Sequence, residues 1–271
     1  MQFESLQRED RDSVAWIQMG RSDRIPRLGD ELREELVQVL LSLQNDDDIR
    51  VVVLTGTNDV FCHGFDAGQR LAMKEEGAGF EKLLPEIDSG RRIVSLLHEM
   101  PKPVIAMVNG AATGTGFSLA LAADIRVASD HTSFAPDTVR RGMHPQWGAT
   151  YFLPRLVGTG RAMELLLSGR RIEADEALQM GLVQELIPIA HLQARTERLA
   201  KRLATAPSHT LRLIKLSLTH SGQYDLMGML EIEGQAQQQC WESSETATRL
   251  RNFVQEGRLA RRPLRVGRAK H

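Results

Sequence analysis

Two glycine-bearing turns are the segments of this sequence whose residues could do chemistry. GAATGTGFSLALAAD, residues 110–124, follows the apolar run VIAMV, and VFCHGFDAG, residues 60–68, follows the run VVVLTG. A glycine lets the backbone approach a ligand closely, and two backbone N–H donors aimed at one point form an oxyanion hole. Losing one such donor typically raises a reaction barrier by about 3–4 kcal/mol. The two turns therefore predict stabilisation of a carbonyl oxygen that becomes negatively charged during a reaction.

The sequence lacks the motifs of nucleotide-binding turns, zinc sites and nucleophile turns. GTGFSL lacks the third glycine and the long following helix of a dinucleotide-binding turn, and no glycine loop continues into G-K-[ST]. HEMPK at His98 lacks the second histidine of a zinc helix, and Cys62 and Cys240 are too far apart to indicate a zinc site. No G-x-S-x-G nucleophile turn is present. We therefore expect no metal site and no permanently bound cofactor.

The elements around these turns indicate an α/β fold. Buried strands are predicted for VVVLTG (51–56), PVIAMVNG (103–110) and DIRVAS (124–129), and a further strand for SVAWIQM (13–19). Asp30 is expected to cap a helix with one apolar face, and Asp88–Met100 reads as a helix ended by prolines. Alternating strands and helices favour parallel crossovers.

The pattern becomes helical after about Pro154. Helices are predicted for GRAMELLLSG, EADEALQMGLV, HLQARTERLAKRLATA, SHTLRLIKLSL and SSETATRLRNFVQEG. These segments predict an α/β core over residues 1–195 and a helical C-terminal region over residues 196–271. The basic tail, residues 258–271, reads as a solvated surface segment.

Composition limits the class of protein further. The chain has 271 residues, is 42% hydrophobic and carries a formal net charge of -1, so no overall basic field favours nucleic acid. No apolar run approaches the roughly 20 residues that span a bilayer, and no signal peptide is recognised, so no membrane partner is expected. Two cysteines in a chain of this length favour reduced thiols and a cytoplasmic setting.

Several motifs in one collinear order carry a resemblance to a known family. FCHGFD, NGAATGTGFSLALAADIRVAS, RRGMHPQWGATYFLPRLVG and ALQMGLVQELIP resemble the crotonase superfamily, also called the enoyl-CoA hydratase/isomerase family. The resemblance implies a crotonase-like spiral of ββα units with a helical C-terminal region that forms a homotrimer or a dimer of trimers. It also implies an acyl-CoA or acyl-carrier thioester substrate, with coenzyme A entering as part of that substrate. Its carbonyl oxygen would lie between the backbone N–H groups of Phe65 and Thr115.

The sequence departs from the family at the two glutamates that ordinary hydratases use to activate water. Ser118 stands where the first glutamate is found, and gapless alignment places Thr138 at the second. Asp137, the neighbour of Thr138, would restore a carboxylate after a shift of one residue. Trp147 stands where the dehalogenase branch has its nucleophilic aspartate, so dehalogenation is excluded. The departures favour isomerisation, decarboxylation or C–C cleavage over standard hydration.

A single base would serve these reactions, and two residues are candidates. His144 lies in the loop GMHPQWG, where several relatives carry a catalytic aspartate, and an imidazole titrates close to neutral pH. Asp137 is the alternative, and a purely structural role remains open for both. His63 is expected to point away from the oxyanion site, and Cys62 to be a buried small residue.

Contacts to coenzyme A are also implied by the resemblance. Arg24 and Arg27, in RSDRIPRL, are candidates for its 3′-phosphate, with surface arginines as the alternative. Arg261 and Arg262 in the tail are weaker candidates of the same kind. The glycine turns contribute further candidate binding residues, namely Gly64, Asp66 and Gly114.

A different class of function stays open. Loss of both glutamates with retained glycine turns would also fit a catalytically silent trimer that acts as a scaffold or as an RNA-binding relative. The basic tail alone suggests nucleic acid, and the net charge of -1 argues against it.

Overall fold

The computed structural model describes residues 3–260, with side chains described up to residue 256. The strands are β1 (Leu6–Arg11), β2 (Val14–Met19), β3 (Val51–Thr55), β4 (Val60–Cys62), β5 (Val104–Val108), β6 (Ala111–Thr113), β7 (Ile125–Ser129), β8 (Ser133–Ala135), β9 (Ile172–Glu173) and β10 (Glu185–Ile187). The helices are α1 (Asp30–Gln44), α2 (Ala67–Glu75), α3 (Leu84–Glu99), α4 (Thr115–Leu121), α5 (Ala149–Val157), α6 (Thr159–Ser168), α7 (Ala174–Gln179), α8 (Ile189–Ala204), α9 (Ser208–His220), α10 (Leu226–Glu242) and α11 (Ser244–Ala260). Short 3₁₀ turns cover Phe80–Leu83 and Asp137–Arg141.

The strands alternate between two sheets, and this alternation produces the spiral. The larger sheet has the order β1-β2-β3-β5-β7-β10, and the smaller has the order β4-β6-β8-β9. In the strand pairs β3–β4, β5–β6 and β7–β8, the first strand therefore lies in the larger sheet and the second in the smaller one, and the chain then returns through helical structure. Parallel pairing joins β2, β3, β5, β7 and β10. The predicted α/β class and the repeated ββα units are confirmed.

Both faces of the large sheet are covered, as its continuous β-branched strands predict. All five residues of β3 and of β5 are buried. Leucines of α1 and of α3 pack on one face, whereas α8 packs Leu192, Ala200 and Ala204 on the other. Burying a valine or leucine side chain contributes roughly 1.5–3 kcal/mol, so these strands form a firm base for the turns at their ends.

Some local predictions were wrong. Asp30 does not cap α1, because Gly29 occupies the cap position without a side-chain hydrogen bond and Asp30 instead pairs with the buried Arg33. Helix α3 begins at Leu84 rather than Asp88, since Pro85 fits the first turn of a helix. The polar strand β1 was missed because it is an edge strand that pairs with β2 alone. The three-residue strands of the small sheet are too short to show a period.

The chain divides between Lys215 and Leu216 into two compact units. The first unit contains both sheets and α8. The domain boundary predicted from the sequence, between residues 195 and 196, falls within α8 and stays a prediction. The second contains α10 and α11, and α10 buries none of its residues within the chain. Helices were predicted for the segments of α6, α7, α8, α9 and α11 and are confirmed, whereas α10 was missed. No helix in the described range combines the length and apolar character needed to cross a membrane.

Candidate active site

The two glycine turns meet at the edge of the small sheet. Strands β4 and β6 are parallel neighbours, so the turns that follow them lie side by side. Gly64 (φ +68°) and Gly114 (φ +54°) both have the left-handed backbone that glycine adopts without strain. A Cβ atom placed on Gly64 would lie 3.0 Å from the backbone nitrogen of Thr115 and 2.7 Å from its hydroxyl oxygen. The backbones of the two turns are therefore in close contact, and a side chain at residue 64 would separate them.

The backbone N–H groups of Phe65 and Thr115 lie at this junction. Within residues 3–260, neither of the two donates a hydrogen bond. Thr115 is the first residue of α4, where the leading N–H groups of a helix have no acceptor inside the helix. Because no described residue accepts a hydrogen bond from either group, this pair of donors is suited to the oxygen of a ligand.

A cavity of about 580 Å³ opens beside the junction, and we call it the cationic cavity. Its charged lining residues are Arg70, Lys74 and Arg141, and no carboxylate is among the described side chains that line it. Its apolar wall consists of Phe65, Leu71, Met73, Phe80, Leu83 and Met143. The cavity therefore combines an apolar wall with cations whose paired carboxylates, where they have them, lie outside its lining.

Polar atoms without partners are concentrated around this cavity. Among the described residues, the hydroxyls of Thr115 and Thr138, the side-chain carbonyl of Gln146 and the Nε atoms of Arg70 and Arg141 are buried and make no hydrogen bond. All five residues line the cationic cavity. Buried polar atoms are rarely left unpaired in folded proteins, so this cluster indicates a place for a polar ligand or for water.

Asp137 and Arg141 form an ion pair that packs against the second turn. Both lie on the 3₁₀ turn that follows β8, and the guanidinium donates to the Asp137 carboxylate. A Cβ atom on Gly114 would lie 2.6 Å from Nη2 of Arg141 and 3.4 Å from Oδ1 of Asp137. Asp137 itself is not among the residues that line the cavity. The carboxylate thus orients Arg141, and the guanidinium is the group that faces the cavity.

His144 lines the cationic cavity, and its hydrogen bond defines its tautomer. Its Nδ1 lies 2.6 Å from the carbonyl oxygen of Pro145. A carbonyl only accepts hydrogen bonds, so Nδ1 carries the hydrogen and Nε2 is the basic nitrogen of the neutral ring. Of the two candidate bases, His144 is the one that lines the cavity.

The two positions at which hydratases carry glutamates hold hydroxyl residues in different surroundings. Ser118 is buried on α4, and its hydroxyl donates to the carbonyl of Gly114 at 3.3 Å. Thr138 lines the cavity with its buried hydroxyl unpartnered. Neither hydroxyl can act as the carboxylate of a water-activating pair.

Phe65 is fixed by aromatic and cationic contacts that sequence reasoning missed. The Phe65 ring meets the Trp147 ring edge-on, with 6.0 Å between the ring centroids. The guanidinium carbon of Arg70 lies 4.5 Å from the centroid of the Phe65 ring. Arg70 also pairs with Glu86, and burial raises the pKa of that carboxyl against the opposing effect of Arg70. Trp147 is buried in a left-handed conformation (φ +57°). The side chain of the first donor residue is therefore held from two sides.

A second cavity, of about 860 Å³, adjoins the first, and we call it the mixed-charge cavity. Its five cationic lining residues are Arg24, Arg27, Arg33, Arg70 and Lys82, and its five acidic ones are Asp30, Glu31, Glu34, Asp66 and Glu86. The two cavities share Phe65, Arg70, Met73 and Leu83. An elongated ligand could thus occupy both cavities with its centre at Phe65.

Three of the candidate residues for coenzyme A binding, Arg24, Arg27 and Asp66, line the mixed-charge cavity. Arg24 pairs with Glu31 at 3.0 Å, and Arg27 pairs with Asp66 at 3.0 Å. Asp66 also caps α2 by accepting from the N–H of Gln69, and this bond followed by the charge of Arg27 lowers the pKa of its carboxyl. Gly64 and Gly114 lie at the junction described above, whereas Arg261 and Arg262 fall outside the described residues.

Cys62 and His63 lie behind the first turn and do not line either cavity. Burial raises the pKa of the Cys62 thiol to about 12. The imidazole Nδ1 of His63 lies 3.4 Å from the Thr113 hydroxyl, and burial, with the nearby Arg27, lowers its pKa. Within residues 3–260, no three His, Cys, Asp or Glu side chains are placed to hold a metal ion.

A two-sheet spiral of ββα units with donor-bearing turns at the strand ends defines a member of the crotonase superfamily. The model of the family described as enoyl-CoA hydratase/isomerase matches residues 9–259. The chain therefore belongs to the enoyl-CoA hydratase/isomerase family.

Individual members of the family that resemble this chain catalyse different reactions. The chain is 32% identical to 1,2-epoxyphenylacetyl-CoA isomerase of Escherichia coli, over 81% of this chain and 84% of that protein. It is 33% identical to 4-chlorobenzoyl coenzyme A dehalogenase-1 of an Arthrobacter species, over 84% and 82%. The crystal structure of an enoyl-CoA hydratase from Bacillus anthracis superposes with a TM-score of 0.88 at 31% identity, covering 93% of this chain and 97% of that one. Similarity at this level identifies the family but does not specify which reaction this chain catalyses.

Proposed function

We propose that the protein is an acyl-CoA processing enzyme that stabilises a thioester enolate between the backbone N–H groups of Phe65 and Thr115. The observation that carries the proposal is the contact between the two turns, which brings two unused donors to one junction. In a site shielded from water, such preorganised donors favour the charge that develops in the transition state. The adjoining cavities provide room for an acyl group on one side and for coenzyme A on the other.

His144 is proposed as the base, acting through Nε2. With one base and an oxyanion hole, the site fits isomerisation, decarboxylation or C–C cleavage by a lyase or hydrolase. Standard hydration is disfavoured, because Ser118 and Thr138 replace the two carboxylates that position the water. A hydratase that uses Asp137 as a displaced carboxylate is the alternative, and the engagement of Asp137 by Arg141 counts against it.

Coenzyme A is proposed to bind as part of the substrate in the mixed-charge cavity. Arg24 and Arg27 would hold its 3′-phosphate after exchanging their partly exposed carboxylate partners for the phosphate. Exposed ion pairs contribute at most about 1 kcal/mol, so this exchange costs little. Asp66 would position Arg27 rather than contact the phosphate itself.

The assembly is proposed to be a homotrimer or a dimer of trimers in the cytoplasm. Helices α10 and α11 expose large apolar side chains, among them Trp241 and Phe253 at 71% and 74% exposure. Apolar surface of this kind is typical of faces that are covered in an assembly. Sedimentation equilibrium should give three or six times the mass of the chain, and a monomer would contradict this part of the proposal.

The first experiment is exchange of the thioester α-proton in D₂O. The panel consists of saturated, 2-enoyl, 3-enoyl and malonyl-type CoA thioesters. At least one of them should gain deuterium, shift its double bond or lose CO₂, and the thioester that reacts identifies the reaction class. His144→Ala should reduce the exchange more than Asp137→Ala. Binding of the thioesters without any exchange, decarboxylation or hydration would favour a catalytically silent scaffold, and salt-sensitive RNA binding would favour the RNA-binding alternative.

A further inference from the structure

Three cations and no carboxylate are among the described lining residues of the cationic cavity, because the carboxylates that pair with Arg70 and Arg141 lie outside this lining. We propose that the acyl group processed here itself carries a carboxylate, and that Arg141 binds it beside the oxyanion turn. The substrate class would then be the mono-CoA thioesters of dicarboxylic acids rather than simple fatty acyl thioesters. This inference rests on the proposed function, because it assumes that the thioester occupies the junction of Phe65 and Thr115.

Arg141 has the free donors and the fixed geometry that carboxylate binding requires. Its ion pair with Asp137 uses one N–H of Nη2 and leaves the second N–H of Nη2 and those of Nη1 for a ligand, whereas Nε is buried without a partner among the described residues. The side chain is 28% exposed and lines the cavity, so a ligand can reach it. A guanidinium binds carboxylates through two parallel hydrogen bonds, and a group held in place by a neighbour loses little freedom in doing so.

The other two cations of the cavity are differently placed. Arg70 has its charge balanced by Glu86 and lies over the Phe65 ring. Lys74 is an exposed lining residue that makes no ion pair with any described residue. A purely hydrocarbon acyl group would cover Arg141 without satisfying its donors, and burying unpaired polar groups costs binding free energy. An acyl group that ends in a carboxylate would accept hydrogen bonds from these Arg141 donors.

The position of Arg141 also limits where the carboxylate lies along the acyl chain. The guanidinium packs against Gly114, and the next residue, Thr115, supplies the second oxyanion donor. The carboxylate would therefore be separated from the thioester carbonyl by only a few carbons. A carboxylate held in an ion pair is stabilised in the ground state, so this arrangement favours reactions that retain it over its loss as CO₂.

The test compares two thioesters of equal chain length, glutaryl-CoA and pentanoyl-CoA, by isothermal titration calorimetry on the full chain. The unmodified protein should bind glutaryl-CoA at least about tenfold more tightly, as expected for a charge-assisted bidentate bond. Arg141→Gln should abolish this preference. Arg140→Gln, which removes the same charge from the adjacent exposed residue, should retain it.

The remaining outcomes separate this inference from the proposed function. Equal affinity for the two thioesters in the unmodified protein would overturn the inference, as would an equal loss of both in Arg141→Gln. α-Proton exchange with pentanoyl-CoA would still support the proposed function in either case. Should Arg141→Gln melt early, Arg141→Lys keeps the charge without the planar fork, and it should lose most of the preference. An undiminished preference in a folded Arg141→Lys variant would count against bidentate binding.

Discussion

The two cavities that meet at Phe65 differ in how they treat charge. The mixed-charge cavity has five cations and five carboxylates, and its arginines Arg24, Arg27, Arg33 and Arg70 each pair with one of these acids. The cationic cavity has three cations and no carboxylate among its described lining residues. The carboxylates that pair with Arg70 and Arg141 lie outside that lining. A surface of exposed ion pairs can exchange partners at low cost and hold a common ligand, whereas cations beside an apolar wall with no carboxylate in the lining favour an anionic one. The difference suggests that one cavity is for the shared part of the substrate and the other for specificity.

The largest effect is expected at the junction between the cavities. Gly64→Ala would place a Cβ 3.0 Å from the Thr115 nitrogen, separate the two donors and impose a left-handed backbone on alanine. The rate of α-proton exchange should fall by about 10³, since losing one such donor costs 10²- to 10³-fold. Gly77→Ala has the same backbone penalty (φ +77°) with no atom within 4 Å of the new Cβ, and it should keep the rate. Equal exchange rates for the two variants would show that the junction does not take part in the reaction.

The next effect tests which group of the cationic cavity moves the proton. His144→Gln should lower the exchange rate by about 10², as expected for removal of a general base. Asp137→Asn should lower it by about tenfold or less, because Asp137 acts by orienting Arg141. His131→Gln, at an exposed histidine that lines neither cavity, should have no effect. A larger loss in Asp137→Asn than in His144→Gln would reverse the two roles.

A smaller effect is expected in the mixed-charge cavity. Arg27→Gln should weaken coenzyme A binding about threefold to tenfold, because the phosphate interaction replaces an existing pair with Asp66. Calorimetry with 3′-dephospho-CoA should show no such loss. Arg171→Gln, which removes an exposed arginine paired with Glu173, serves as the charge-matched control. If both ligands lose affinity equally, Arg27 does not contact the 3′-phosphate.

The smallest effect is expected behind both cavities, at Cys62. Burial raises the pKa of this thiol to about 12, so almost no thiolate exists at pH 8 and neither cavity reaches the sulfur. In a Cys240→Ser background, iodoacetamide at pH 8 should leave Cys62 unmodified and the exchange rate unchanged. Mass spectrometry of the folded and the denatured protein measures this, and rapid labelling of the folded protein would place Cys62 on a cavity wall.

Local patterns predicted the framework and the glycine turns for clear physical reasons. Continuous β-branched runs such as VVVLTG are typical of strands that are buried on both faces, and the alternation of such runs with helices predicts parallel crossovers. Gly64 and Gly114 stand out in sequence because left-handed turns favour glycine. The edge strand β1, the short strands of the small sheet and the weakly patterned α10 gave no comparable signal.

The candidate site was only partly predictable. Phe65, Thr115 and His144 came from motif positions, and the structure places all three at one cavity, while their chemical roles stay predictions. Arg70 and Arg141 were missed, although the spacing of Asp137 and Arg141 by four residues could have suggested an ion pair on one face of a helical turn. No sequence pattern reveals that the Asp137 carboxylate is engaged, since this depends on how the turn after β8 packs against Gly114.

The sequence by itself determined the class of fold, the two donor-bearing turns and the absence of the paired glutamates, because each depends on residue type and on near neighbours. Only the tertiary structure decided that the two turns touch, that Arg141 rather than Asp137 lines the cavity, and that the mixed-charge and cationic cavities meet at Phe65. Those features arise where strands distant in sequence become neighbours in a sheet. Side-chain charges acquire their partners only after that pairing, so the electrostatics of the site is a property of the folded chain.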